Sequence, residues 1–87
     1  MKLKENLTIH SMGDEFVVIS SNPDDFKGMI KLNSSGAFIF NLLSENKTQE
    51  EILAKLEEKY DIDKKTAEKD LSELLNFFEK SGLMYNG

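Results

Sequence analysis

The apolar positions of this chain change period once. Over the first third they recur every second residue. Leu7, Ile9 and Ser11 fall on one side of "LTIHSM" and Thr8, His10 and Met12 on the other, before Gly13-Asp14 supplies turn chemistry. "EFVVIS" is short, β-branched and aromatic, and predicts a second strand antiparallel to the first, ending where Ser21-Asn22-Pro23-Asp24-Asp25 breaks the pattern. In "GMIKLN", Ile30 and Leu32 share one face while Met29 and Lys31 share the other, the mark of a short third strand.

From Asn33 onward the period is helical. Asn33-Ser34-Ser35 offers side-chain caps for the orphan N–H groups of a first helix, whose Phe38, Ile39, Leu42 and Leu43 recur at helical spacing, and Gly36-Ala37 lets it enter close to the sheet. After the polar "SENK", Thr48 and Glu51 form a capping box that opens a second helix with a stripe of Ile52, Leu53, Leu56 and Tyr60. Asp63 caps a third helix, with Ile62 and Ala67 spaced as a hydrophobic staple, and Gly82 closes it with Leu83 folding back. "LMYNG" is expected to be a frayed or weakly paired tail. The predicted order is β-β-β-α-α-α, an α+β fold of a small three-stranded antiparallel sheet followed by a three-helix bundle, like a winged helix.

With 87 residues the chain has room for one domain, 1–87, with one modest core. An apolar share of 39% and six Phe suffice for a small globule, and no apolar run approaches the roughly 18 residues of a membrane span. "MKLKENLTIH" lacks the apolar stretch of a secretory signal, so the expected location is cytoplasmic, away from membranes. Charge is uneven: residues 1–47 carry five Lys against six acids, residues 48–87 six Lys against ten acids, for a net −5. There is no Arg, the commonest reader of guanine and the best phosphate fork, which argues against nucleic acid as a partner.

Catalysis requires groups that hold or move charge, and the chain has one His, no Cys and no Arg. His10 lies on a predicted strand with no evident partner. The carboxylates of Glu50, Glu51, Glu57 and Glu58 sit on the polar face of the second helix, spaced for pairing with Lys55 and Lys59 rather than for a metal. No phosphate loop or metal-binding motif is present. The expectation is a protein without catalysis, cofactor or metal.

Phe77 is the more informative residue. At about 100° per residue, Ala67, Leu71, Leu74, Leu75 and Phe78 share one arc of the third helix, and Phe77 falls off it, on the flank of Thr66, Asp70 and Glu73. Either it packs under the N-terminal sheet, or it lines a groove for a partner. Lys31 on an edge strand is equally double: it protects the edge from aggregation, or marks a docking edge for an extended peptide. A short edge strand running directly into a helix, beside a helix with a spare aromatic, makes a cleft with backbone donors on one wall and apolar side chains on the other. That is the arrangement used in β-strand addition.

Residues 28–84 resemble the PqqD family. The resemblance rests on Leu32-Asn33 ending a strand, Gly36 at a small-residue helix entry, Thr48 to Ile52, Tyr60-Asp61-Ile62-Asp63, Asp70 and the closing Gly82-Leu83, and is looser over the first two strands. It implies an adaptor without catalysis that recognises the leader segment of a ribosomally made precursor peptide. The adaptor would present that segment to a modifying enzyme, a radical SAM protein or a lasso-type leader peptidase. It also implies that the leader adds antiparallel to the third strand and rests against the third helix. Those contacts map here to Met29, Ile30, Lys31, Leu32 and Asn33, and to Thr66, Asp70, Glu73 and Phe77. Phe40 stands where many members carry Trp, and the acidic C-terminal half points to Lys or Arg in the leader. The competing readings are a DNA-binding winged helix, disfavoured by four Lys against five acids over residues 63–81, and a structural subunit of a larger enzyme. Pairing of two copies through the sheet edge is a further possibility that the pattern leaves open.

Overall fold

The alternating segment builds a sheet and the helical segment covers one of its faces. In the computed structural model, which describes residues 2–22 and 28–85, the strands are β1 (Leu7–Met12), β2 (Glu15–Ser20) and β3 (Met29–Leu32). Gly13 takes a φ of 67° in the two-residue turn that joins β1 to β2, a conformation a glycine adopts without strain. Both pairings are antiparallel and the strand order is β1-β2-β3. Pro23, Asp24 and Asp25, read as part of the break after β2, lie outside the described residues.

Register sorts the side chains into two faces. Ile9, Val18 and Ile30 stand in one row across the sheet, and Phe16 pairs with Leu32 on the same side. Val18 and Leu32 belong to the hydrophobic core, with Ile9, Phe16 and Ile30 packed against it. Thr8, Ile19 and Met29 form a row on the other side, as do His10, Val17 and Lys31. His10 is an exposed strand residue.

The helices are α1 (Ser34–Ser44), α2 (Gln49–Tyr60) and α3 (Lys64–Ser81). Each begins on the cap expected of it. Asn33 Oδ1 accepts from Gly36 N at 2.9 Å, Thr48 and Glu51 satisfy each other's backbone N–H, and Asp63 Oδ1 accepts from Thr66 N at 2.8 Å. α3 ends in a Schellman arrangement: Gly82 has a φ of 88°, its N–H points to Glu79 O, and Leu83 N donates to Phe78 O at 2.9 Å. Ile52, Leu56, Ala67, Leu71 and Phe78 are all buried in the shared core.

One expectation changes in detail. Phe40, absent from the anticipated stripe of α1, is 3% exposed and packs edge-on against Phe78, whereas Phe38 is half-buried against Tyr60. The reason is that α1 is enclosed on more than one side, burying Gly36, Ala37, Ile39, Phe40, Leu42 and Leu43 together. The tail is weakly paired rather than frayed. Leu3 and Met84 form an antiparallel bridge, Lys4 N donates to Leu83 O at 2.8 Å and Tyr85 N to Lys2 O at 3.1 Å, with Leu83 and Met84 buried.

Candidate functional site: a groove beside the edge strand

β3 bonds to β2 along one side, and among the described residues no strand pairs with its other side. Its alternate N–H and C=O groups on that side are therefore available to an added strand. The strand passes into α1 through Asn33, whose side chain is held in place by accepting from Gly36 N and from Ser35 Oγ, the latter at 3.0 Å. The junction is tight. A Cβ on Gly36 would lie 3.3 Å from Asn33 Oδ1 and 3.4 Å from Leu32 Cβ, so glycine lets α1 start directly against the strand.

Next to this junction lies a groove of about 700 Å³. Ile39 of α1, Leu56 of α2 and Leu74 of α3 line it with apolar surface, Asn33, Ser34 and Ser35 contribute polar groups from the start of α1, and Asp70, Glu73 and Phe77 contribute from α3. Phe77 is 43% exposed, with its ring centroid 6.3 Å from that of the fully buried Phe78. The ring rests against Phe78 of the core at its base and turns its outer part to the cleft it lines. Asp70 and Glu73 are exposed carboxylates, so the cleft has an apolar interior with an acidic border.

Of the residues singled out in the sequence, Asn33, Asp70, Glu73 and Phe77 come together at this groove, and Met29, Ile30, Lys31 and Leu32 form the strand beside it. Thr66 stands apart. It is exposed on the same flank of α3, one turn before Asp70, but is absent from the groove lining, and its N–H serves the Asp63 cap. Tyr60 and Ile62 line the groove too, although the sequence marked them only as part of a stripe and a staple. The Tyr60 ring stands edge-on to Phe38 at 6.0 Å, and its hydroxyl is buried without a hydrogen-bond partner. Its place in a motif between two helices was the one signal that could have drawn attention to it.

Two other concavities lack this combination. One of about 290 Å³ lies among Lys2, Lys4, Asn46 and Lys47, and one of about 750 Å³ lies between α2 and α3 with Glu50, Glu57 and Glu68 on its walls; neither presents an exposed aromatic. No group of His, Asp or Glu arranged to hold a metal occurs among the described residues.

Three antiparallel strands followed by three helices, with an open edge strand leading into an apolar groove, define a small α+β module. The family model of coenzyme PQQ synthesis protein D (PqqD) matches residues 15–84, and the chain belongs to that family. The match takes in β2 as well as the segment 28–84. The chain is also similar to a solved structure, TbiB1 in complex with the TbiA(beta) leader peptide, with 27% identity, a TM-score of 0.83 and the full length of both chains covered. No curated protein matches the chain.

Proposed function

We propose that this protein is a non-catalytic adaptor that binds the leader segment of a ribosomally made precursor peptide and presents it to a modifying enzyme. The leader lies antiparallel along Met29 to Asn33 as a fourth strand, with alternate side chains entering the groove beside Phe77. Main-chain hydrogen bonds supply affinity and the groove supplies selectivity. The single observation that carries this reading is the adjacency of an unpaired β3 edge to a groove whose wall holds a 43% exposed Phe77. Membership of the PqqD family and the likeness to TbiB1, itself solved with a leader peptide, support it. Basic leader residues meet Asp70 and Glu73 at the border of the groove.

The enzyme served is a radical SAM protein or a leader peptidase, and the adaptor works in the cytoplasm, where precursor peptides are made. A second copy of the chain competes for the same β3 edge, so any dimer formed through it gives way to peptide. The test is titration of the full chain with the leader of its cognate precursor, followed by calorimetry and by native mass of the mixture. A one-to-one complex is expected. Absence of binding at peptide concentrations of about 1 mM, far weaker than specific recognition requires, would refute the proposal.

A further inference from the structure

Resting on strand addition at β3, we infer that the bound peptide carries a carboxylate directly across from Lys31. Lys31 stands at the β3 end of its row on the outer face of the sheet, away from the groove. Its row neighbour on β2 is Val17, uncharged and 4% exposed. Among the described residues its ion-pair partner is the diagonal Glu15, 3.9 Å away at the limit of a direct pair, and the two side chains remain 71% and 61% exposed. The ammonium group is thus held by little on the β2 side. On the open side its next neighbour is whatever strand is added there. Residues directly opposite each other in an antiparallel pair have Cβ atoms roughly 5 Å apart, within reach of a lysine–carboxylate pair.

Register turns this into a sequence pattern. Side chains alternate faces, so peptide residues opposite Ile30 and Leu32 point toward the helices, while those opposite Lys31 and Met29 point outward. Met29 is 55% exposed and its row neighbour Ile19 is 38% exposed, which suits an apolar residue opposite Met29. Read from its N-terminal end, an antiparallel peptide presents a groove-facing residue, then Asp or Glu, then a second groove-facing residue, then an apolar one. Acid and groove anchors are separated by an odd number of positions, and a slip of one residue would exchange their faces. Bases that meet Asp70 or Glu73 share the parity of the groove anchors. The recognised peptide therefore carries its acid beside an apolar residue on the outward face, and apolar or basic residues on the other.

The experiment selects binders from a library of random twenty-residue displayed peptides, separately on the wild-type chain and on Lys31→Glu, and maps amide shifts with the best binders. Lys31 is exposed, so the variant retains the fold, which its amide spectrum checks. The wild type is expected to enrich the acid in the stated register, and Lys31→Glu to replace it with Lys or Arg. Each matched pair should bind about tenfold more tightly than the crossed pairs at low salt, with the difference shrinking as salt rises. A lysine that only guarded the edge would be indifferent to the residue across from it. Both chains enriching the same residue at that position, with shifts on residues 29–33, overturns the inference and leaves strand addition standing. Binders that shift other amides, or no enrichment at all, overturn both.

Discussion

Phe77 and its neighbour Phe78 show how one position decides between core and surface. Phe78 is fully buried while Phe77 is 43% exposed, a difference set by about 100° of helix rotation. Phe77→Ala should therefore weaken leader binding by about 1–3 kcal/mol if the ring is a desolvated anchor, with little loss of melting temperature. Calorimetry and thermal unfolding on the same samples separate the two effects. A large fall in melting temperature with unchanged affinity would make the residue structural. Asp70→Asn should act more weakly, and its effect should fade between low and physiological salt, because an exposed border charge is screened. Helical arithmetic was enough to place Phe77 and Asp70 on one flank. It could not show that Tyr60 lines the same groove, because the placing of that ring depends on how α2 leads into α3 and on Phe38 from α1.

At the scale of elements, the caps and the β3–α1 junction hold the groove in shape. Thr48→Ala removes the acceptor for Glu51 N at 3.1 Å and should cost about 1 kcal/mol, a fall of roughly 4–8 °C in melting temperature for a domain of this size. Two carboxylates give the caps a pH dependence. Glu51 is held below its ordinary pKa by hydrogen bonding from the Thr48 backbone and then its side chain, and Asp63 by hydrogen bonding from the Thr66 side chain and then its backbone. A folded-state pKa below the unfolded value means a contribution present at neutral pH that is lost as pH falls through the folded value. Melting temperature should accordingly drop on acidification below about pH 4, and by less in Asp63→Asn, whose amide still caps but does not titrate. Equal losses in wild type and variant would remove Asp63 from the account. Gly36→Val should lower stability and leader affinity together, since its Cβ meets Asn33 and Leu32 at the end of β3. Strand and helix identities were legible because period and caps agree locally. The burial of Phe40 and the pinning of Met84 by Leu3 were not, since both arise from contacts between distant segments.

Taken as a whole molecule, the chain carries a net charge of −5 and no Arg, so there is little counterion release to drive association with duplex DNA. A gel shift at physiological salt should show no complex, and sub-micromolar binding that weakens steeply with salt would favour the winged-helix regulator instead. Among the described residues no helix is long and apolar enough to cross a membrane. What the fold does offer is the β3 edge, the groove and its acidic border side by side. The direct measurement is amide chemical-shift mapping of the full chain on addition of the leader of its cognate precursor. The shifts should concentrate on residues 29–33 and on Asp70, Glu73 and Phe77, with β3 amides gaining protection from hydrogen exchange. Shifts confined to β1 or α2, with β3 unprotected, would contradict strand addition at this edge.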